Sequence, residues 1–519
     1  MKKIFISLLV TVIAASCSKS FLERDPINKR TTESFYKTPK DALEALSAVY
    51  DVLQLGGFDN IHLISEIASD NCFGGGGESD MSWKRWDRFE NDINTNDGPW
   101  TKYYQGIYRA NVLLANIGNV DWGTDSANKV RYTAEARFLR AYFYFDLVRM
   151  FGNIPLVTKP LDPTEYYQPQ AKPEEVYKFI AEDLEYTIAN LPATAYSAIP
   201  KADYGRVTRW AAQALLARVY LYYTGYYTQN DLAGVTTKAE VRGYLQELIN
   251  TSGYGIIDSF PLLWQSAGAN FVKEDNKETV FAIKFTHLGL KDWNKNDGNR
   301  MMVMIGIRNK VVAPYYKGWG AATVNPKLYA AYETGDTRRT GSIISINDEN
   351  LSYPETFPQY TTYFWKKYMP MNDLKPEDVG GDFQIDNFYD YVVIRYADVL
   401  LMAAELELDG DLTKAQTYYN TVRDRAFRNI THRKPLTNDA AGKALIMQER
   451  RLELALEGLR YWDLLRQGVT VAKQAIDNPS SDAQFKVDFR AETKGLLQIP
   501  QKQINLSNGT LKQNDGWSL

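Results

Sequence analysis

The chain has 519 residues, 45% of them hydrophobic, a composition that suits a soluble globular protein rather than a disordered or membrane-spanning one. Its 60 Lys and Arg residues nearly balance 63 Asp and Glu residues, and the resulting net charge of −3 argues against nucleic-acid binding. The aromatic content of 35 Tyr, 22 Phe and 11 Trp is high, and it suits either a large helical core or sugar-binding surfaces.

The N-terminus is typical of an export signal. Two lysines precede an apolar run of twelve residues, too short to span a bilayer, and the small residues Ala14–Ser16 end it. Cys17 follows directly, as in a bacterial lipobox, which predicts a signal peptide over 1–16 and lipidation of Cys17. A plain secretory signal that contains a cysteine is the alternative. If Cys17 is lipidated, Cys72 has no partner, and we expect a buried free thiol there.

A series of predicted helices follows. Apolar residues within 127–151 recur at intervals of three and four along two stripes, which predicts a long helix covered on two sides. The helix predicted over 208–227 is lined with alanines such as Ala211 and Ala214, which let a neighbouring helix approach closely. Similar periodicity covers 39–55, 97–117, 173–191, 391–408, 412–428 and 441–467.

The middle of the chain has a different pattern. Between 251 and 390 it breaks into short β-rich runs such as Thr279–Phe285, with many Gly, Pro, Asn and Tyr residues. An unstructured loop of that length is implausible, so we expect an insertion subdomain that rests on the helices. Helix pairs with small-residue faces and short connections predict an all-α fold, an irregular tetratricopeptide-like helical solenoid with a loop-rich, minor-β insertion.

The sequence contains no motif of a known catalytic centre. Its three histidines lack metal-ligand spacing, and neither a nucleophile elbow nor a phosphate-binding loop occurs. Glu449, Glu453 and Glu457 share one helical face beside several arginines. Because acids four residues apart point the same way and do not flank a substrate, we interpret them as a structural ion-pair lattice. We therefore expect no catalytic residues and no enzymatic activity.

Several stretches, taken together and in order, resemble the SusD/RagB family of outer-membrane lipoproteins. They are "FLERDP" after Cys17, "FYKTPKDALEALSAVYDVL", "AEARFLRAYFYFDLVRMFGNIPL" (135–156), "PEEVYKFIAEDLEYTIANLP" (173–192), "VTRWAAQALLARVYLY" (207–222), "VIRYADVLLMAAE" (393–405), "ERRLELALEGLRYWDLLRQG" (449–468) and "LLQIPQKQINLSNGTLKQNDGW" (496–517). The resemblance implies a single SusD-like domain over 17–519, with its scaffold at about 38–250 and 391–470 and the insertion at about 251–390.

The resemblance also implies a location, a partner and a ligand. Family members are cell-surface lipoproteins of the outer membrane that present glycan to a SusC-like TonB-dependent transporter, so Cys17 would carry the anchoring lipid. The same scaffold binding peptide or another nutrient is one alternative, and a surface glycosidase is another. An exposed, coplanar platform of Trp and Tyr rings beside Asp or Asn would favour glycan, whereas a long groove with unpaired strand edges would favour peptide.

Candidate ligand-binding residues come from two stretches. In the family, the loop between the first two helices commonly contributes a polar residue and an aromatic to the glycan site. Asp70 and either Trp83 or Trp86 match by position, and Asn71 is a further candidate beside Asp70. Flat aromatic faces suit sugar rings, and carboxylate or amide groups suit their hydroxyls. The insertion supplies the second set, in which aromatics stand among glycines: Trp293, Arg300, Tyr316 and Trp319.

Five further aromatic residues fall into two groups. We expect Trp100, Trp210 and Trp462 to be core residues, because they lie on helical stripes. Tyr360 and Trp365 fit either a core or an exposed position.

Two segments, 92–98 and 292–298, share the pattern D-x-N-x-N-D-G. Alternating oxygen ligands are typical of calcium loops, but Tyr103 and Val303 stand where such a loop has glutamate. Turn chemistry explains Asn-Asp-Gly equally well, so calcium stays an open alternative and no metal site or cofactor is predicted.

Overall fold

The computed structural model describes residues 35–55, 60–92, 94–295, 297–353 and 357–517. The predicted signal peptide and the lipidation site Cys17 lie outside these residues. Within the described ranges, no helix is long and apolar enough to cross a membrane.

About half of the chain is helical. In chain order the helices are α1 (Pro39–Asp51), α2 (Ile61–Ile67), α3 (Met81–Arg88), α4 (Asp97–Asn116), α5 (Ser126–Phe151), α6 (Pro173–Asn190), α7 (Arg209–Tyr226), α8 (Lys238–Thr251), α9 (Arg300–Ile305), α10 (Pro326–Ala331), α11 (Thr337–Ser342), α12 (Tyr396–Glu407), α13 (Leu412–Phe427), α14 (Ala440–Glu453), α15 (Arg460–Leu465), α16 (Val469–Ile476) and α17 (Gln501–Leu506). Their ends follow sequence signals. Thr38 and Asp41 form a capping box before α1, and Gly152 ends α5 at a positive φ of 67°.

Among the described residues the strands are short and form two-stranded sheets. In chain order they are β1 (Cys72–Gly74), β2 (Ile154–Pro155), β3 (Gln170–Ala171), β4 (Thr279–Ile283), β5 (Ile307–Arg308), β6 (Lys317–Gly318), β7 (Ala322–Val324), β8 (Ile343–Ser345), β9 (Tyr363–Trp365) and β10 (Tyr391–Arg395). The pairs β1–β7, β2–β3, β4–β10 and β8–β9 are antiparallel, and β5–β6 is parallel. The prediction of a helical fold with minor strand content is confirmed.

The helical scaffold is a succession of neighbours. Helix α4 packs on α5, α5 on α6, α6 on α7, α7 on α8, α8 on α12 and α12 on α13. Helix α5 is buried on all sides from Ala134 to Phe151 apart from Arg137, which confirms that it is covered on two faces. The alanines of α7, including Ala211 and Ala214, are fully buried, as expected for close helix contact.

The tryptophans that were predicted to lie in the core are buried. Trp100, Trp210 and Trp462 have exposed fractions of 5%, 0% and 3%, which confirms them as core residues. Of the two undecided aromatics, Trp365 is buried and Tyr360 is partly exposed. Cys72 is a buried free thiol, as expected.

A buried ionic network joins the insertion to the scaffold. The Arg338 guanidinium of α11 contacts Glu449 Oε1 at 2.6 Å and Glu453 Oε2 at 3.3 Å on α14. Lys367 Nζ lies 2.6 Å from Glu457 Oε1, and Arg395 Nη1 lies 2.9 Å from Glu453 Oε1. All three glutamates are thus held by cations inside the protein, so the structure confirms the ion-pair lattice.

Backbone pairing adds to this attachment. Strand β4 lies within the predicted insertion and pairs with β10, which leads directly into scaffold helix α12. The insertion is therefore fastened to the helices by both sheet hydrogen bonds and buried charges.

Candidate functional site

Two distant parts of the chain meet through the strand pair β1–β7, in which Cys72 lies opposite Val324 and Gly74 opposite Ala322. Beyond the strands, the Gly76 amide donates to the Gly320 carbonyl at 2.7 Å. This pairing brings Trp83 of α3 close to Trp319 of the insertion, with ring centroids 6.4 Å apart and an interplanar angle of 32°. The loop that carries Trp83 and the insertion therefore meet at this point.

The glycine-rich loop that follows β1 covers the ring of Trp83. Gly76 has a φ of 85°, and a Cβ there would lie 2.6 Å from the Trp83 ring, so only glycine fits. Trp83 is consequently 7% exposed, so its expected availability to a ligand is corrected, while Trp319 is partly exposed. Of these two rings, Trp319 offers the more accessible face.

Polar groups lie beside Trp319. Arg308 Nη1 donates to the Trp319 carbonyl at 2.9 Å and lies 3.8 Å from Asp80 Oδ2. The Lys84 ammonium lies inside the loop, donating to the Gly77 carbonyl, and burial lowers the pKa of Lys84. Asp80 and Arg308 keep part of their side chains in solvent, so both are available to a hydroxylated ligand.

Further aromatics continue this surface. The Phe357 ring lies 5.9 Å from the Arg308 guanidinium, and its centroid is 5.4 Å from that of Tyr360. Both rings are partly exposed, and a Cβ on Gly320 would lie 3.6 Å from Phe357. We define the Trp319 surface as Trp319, Arg308, Asp80, Phe357 and Tyr360.

A buried carboxyl group lies beneath the loop. Asp87 Oδ2 accepts hydrogen bonds from the Gly74 amide at 3.0 Å and from Gln359 Nε2 at 3.1 Å. Burial raises the pKa of Asp87 to about 7, although both hydrogen bonds act in the opposite direction. Asp87 thus links the first half of the site to the segment that carries Phe357 and Tyr360.

The expected exposure of Asp70 and Asn71 is corrected by the structure. The Asp70 carboxylate lies 2.8 Å from Arg451 and 2.7 Å from Arg460, and only 6% of the residue is exposed. Burial opposes ionisation, but the two guanidinium groups hold the pKa of Asp70 below its usual range. Asn71 is fully buried and donates to Glu66 Oε2 at 2.8 Å. Both side chains are used internally and face away from solvent.

Trp86 is corrected in the same way. It is 4% exposed, and its indole Nε1 donates to Asn96 Oδ1 at 2.9 Å. Asn96 in turn donates to the Gln498 carbonyl at 2.9 Å, so Trp86 ties α3 to the C-terminal part of the chain. Trp86 lies one helical turn from Trp83, and the sequence alone did not reveal that its ring is buried.

The other candidates of the insertion, Trp293, Arg300 and Tyr316, contact other residues. Trp293 is 50% exposed and lies over Arg300, whose guanidinium is 5.8 Å from the ring. Arg300 opens α9 and is 7% exposed, donating to the Trp293 and Lys295 carbonyls, so its expected availability is corrected. Tyr316 is 8% exposed and donates to Glu377 Oε1 at 2.7 Å, which corrects its expected exposure too.

The two acidic turns use their carboxylates locally. Asp92 Oδ1 accepts from the Thr95 amide at 2.6 Å, and the Asp92 carboxylate pairs with Arg85 at 2.5 Å. Asp292 Oδ1 accepts from the Asn294 amide at 3.0 Å. These contacts are those of Asp-capped turns. In the part of the chain that the structure describes, no group of three or more His, Cys, Asp or Glu residues is placed to hold a metal ion.

Sequence reasoning missed Arg308, Asp80 and Phe357. Phe357 stands in a stretch of Pro, Tyr and Thr residues that lacks the glycines by which the other insertion aromatics were chosen. Arg308 and Asp80 carry no local signal, because Arg308 becomes relevant through its hydrogen bond to the Trp319 carbonyl and Asp80 through its proximity to Arg308.

Comparisons with known proteins agree with this architecture. The SusD family profile matches residues 340–517, and a profile described as "Starch-binding associating with outer membrane" matches residues 20–221. SusD-like protein P2 from Formosa agariphila is 27% identical, covering 99% of this chain and 99% of that protein.

Solved structures give the same result. Surface glycan-binding protein A from Bacteroides fluxus is 27% identical with a TM-score of 0.79, covering 93% of this chain and 100% of that chain. A laminarin-binding SusD-like protein is 32% identical with a TM-score of 0.79 and the same coverage. Both neighbours are described as binding proteins. The two family profiles and the 32% identity over 93% of this chain show that the chain belongs to the SusD/RagB family.

Proposed function

We propose that the protein captures glycan at the Trp319 surface on the outside of the cell. The single observation that supports this most is the set of partly exposed rings, Trp319, Phe357 and Tyr360, beside the polar side chains of Arg308 and Asp80. Aromatic faces pack against the apolar sides of sugar rings, while the carboxylate and guanidinium can bind hydroxyls. The Phe357 and Tyr360 rings stand at 68° to each other, so these aromatics form an angled cluster rather than a flat platform.

The structural relatives suggest a first ligand. One neighbour at 32% identity is described as laminarin-binding, and another, from Bacteroides fluxus, as a surface glycan-binding protein. We therefore propose a laminarin-type oligosaccharide as ligand and laminarihexaose as the probe.

The proposal extends to delivery of the bound glycan. A lipid on Cys17 would hold the protein on the outer membrane, and a SusC-like TonB-dependent transporter would receive the glycan. Support comes from the family and from the matching profile's description of outer-membrane association. Co-purification of a TonB-dependent transporter with the tagged protein from solubilised outer membranes tests the partnership, and repeated recovery without one contradicts it.

Binding is tested by calorimetric titration of laminarihexaose into the Trp319→Ala variant. We expect about tenfold or more weaker binding, since one stacked ring contributes roughly 1–3 kcal/mol in comparable sites. The melting temperature should change little, because Trp319 is partly exposed. Trp86→Ala is the contrasting variant, since its buried ring should cost about 3–5 kcal/mol of stability.

Two further results decide the extent of the site. Trp293→Ala removes a ring that is 50% exposed near the start of α9. A loss equal to that of Trp319→Ala extends the site to Trp293, and unchanged affinity confines it to the Trp319 surface. Normal binding by Trp319→Ala contradicts the proposed site.

A further inference from the structure

A second cavity lies on the helical scaffold, outside the Trp319 surface. It has a volume of about 570 Å³ and lies between α4, the segment 155–168 and the C-terminal stretch 503–511. We call it the lateral cleft. None of its lining residues belongs to the Trp319 surface, and its volume falls within the range of small-molecule sites.

Aromatic rings form much of the cleft's wall. Trp100, Tyr104 and Tyr108 follow one another at intervals of four residues, so they share one face of α4. Tyr104 donates from its hydroxyl to the Pro155 carbonyl at 2.8 Å, which fixes the ring and joins two walls. Tyr108 is 61% exposed, and Tyr166, from the segment after β2, is 62% exposed. Two tyrosine rings are therefore open to a ligand in the cleft.

The polar part of the lining is uncharged. The fifteen lining residues include no Asp, Glu, Lys or Arg, although such residues make up 24% of the chain. Three glutamines line the cleft instead, namely Gln105, Gln168 and Gln503, together with threonine and serine hydroxyls. Gln168 Nε2 donates to the Glu165 carbonyl and Gln503 Nε2 to Asp97 Oδ1, each at 2.7 Å, so both amides are held in place.

This chemistry selects one class of ligand. Nucleotides, phosphorylated compounds and charged peptides would lack ionic partners in the lining. An aliphatic chain would leave amide and hydroxyl groups without hydrogen-bond partners. Neutral oligosaccharides match both features, since their hydroxyls pair with amides and their ring faces pack on tyrosine.

We propose that the lateral cleft is a second binding site for a neutral oligosaccharide. The inference deepens the proposed function and rests on it, because it assigns the same ligand class to a separate surface. A glycan chain long enough to reach both sites would be held more tightly than a short one, through the effective concentration of the second contact.

The test combines the double variant Tyr108→Ala/Tyr166→Ala with Trp319→Ala. Each protein is titrated calorimetrically with laminarihexaose, maltohexaose and a xylogluco-oligosaccharide, and its thermal melt is recorded. Tyr167→Ala is the matched control, since Tyr167 adjoins Tyr166 in the chain, is 56% exposed and lies outside the lining. The exposure of both cleft tyrosines predicts that the double variant keeps the fold.

For at least one of these sugars, we expect the unaltered protein to bind two molecules per chain. The tyrosine double variant should bind one, at the Trp319 surface, and Trp319→Ala should also bind one, in the cleft. The affinity lost from the cleft should be about tenfold or more, as for removal of other stacked rings. Tyr167→Ala should bind like the unaltered protein.

The outcomes separate the two proposals. If Trp319→Ala alone abolishes all binding, the cleft proposal is overturned and the proposed function stands. If only the double tyrosine variant loses binding, the cleft is supported and the Trp319 site is wrong. If the double tyrosine variant retains the full stoichiometry and affinity for every sugar, or if the unaltered protein binds none of them, the cleft proposal is overturned.

Discussion

Glu453→Gln tests whether the buried glutamates are structural. Glu453 is fully buried, and its Oε1 accepts from Arg425 Nη2 at 2.6 Å and from Arg395 Nη1 at 2.9 Å. Its Oε2 accepts from Arg338 Nη1 at 3.3 Å. Burial opposes ionisation, but these three guanidinium groups hold the pKa of Glu453 far below its usual range. Glutamine keeps the shape, removes the negative charge and places an amide donor against arginine donors.

The expected cost follows from this environment. Breaking a buried ion pair by neutralising one partner costs about 3–5 kcal/mol, since the remaining charge is uncompensated. An unfolding entropy of about 2.1 cal/mol/K per residue gives about 1.1 kcal/mol/K for 519 residues. The melting temperature of Glu453→Gln should therefore fall by about 3–5 °C.

Differential scanning calorimetry at pH 7 measures this change. The control is Asp488→Asn, which makes the same carboxylate-to-amide change at a side chain that is 80% exposed and 2.8 Å from Lys473. We expect no measurable shift there, because exposed ion pairs contribute little. A melting temperature for Glu453→Gln equal to that of the control would refute the structural reasoning. Release of reducing sugar by the purified protein, lost in Glu453→Gln, would reassign the residue to catalysis.

The remaining predictions concern pH and location. Burial alone would raise the pKa of Asp398 and of Glu405, but neighbouring guanidinium groups lower both pKa values to about 2. Because these folded-state values lie below the unfolded ones, this stability is present above about pH 4.5 and is lost as the pH falls toward 2. Melting temperatures should fall as the pH is lowered over this range, and they should fall less steeply for Asp398→Asn than for the unaltered protein. Parallel curves of melting temperature against pH would contradict this. The pKa of Asp87 is raised instead, so its contribution is present below about pH 4 and is lost as the pH rises through about 7. The melting temperature of Asp87→Asn should therefore gain on that of the unaltered protein between pH 4 and pH 8, and a constant difference would contradict this. Cys17→Ala should release the protein from the outer membrane, because a lipid is the predicted anchor, and unchanged membrane retention in cell fractionation would disprove that.

The helical scaffold was predictable because burial leaves a periodic trace. In α5 the fully buried Phe138 and Phe145 lie seven residues apart, two helical turns along one face, as hydrophobic packing demands. The same reasoning placed Trp210 in the core, and the structure agrees. Periodicity is a local signal and helices are local structures, so most helices could be read from the sequence. The helix predicted from residue 391 instead begins at Tyr396, because residues 391–395 form strand β10 through long-range pairing with β4.

The candidate site was only partly predictable, because its geometry depends on long-range contacts. Composition indicated that Trp319 stands in an open, glycine-rich stretch, and it lies there beside Trp83. Composition equally favoured Asp70, yet the residues that bury it, Arg451 and Arg460, follow almost four hundred positions later. No pattern within one loop records which of its polar groups has a distant partner.

The early loop's dependence on the end of the chain has a consequence for folding. Glu66 is buried and accepts hydrogen bonds from the Leu456 and Gly458 amides, while Asp70 pairs with Arg460. When only the first half of the chain is present, during synthesis or in a truncated protein, both carboxylates lack these partners. Burying the two carboxylates without partners would be energetically unfavourable. We therefore expect the loop that supports Trp319 to fold only when the C-terminal helices are present. The two stretches matched by separate family profiles are accordingly one cooperative unit, and the first of them expressed alone should not form the binding surface.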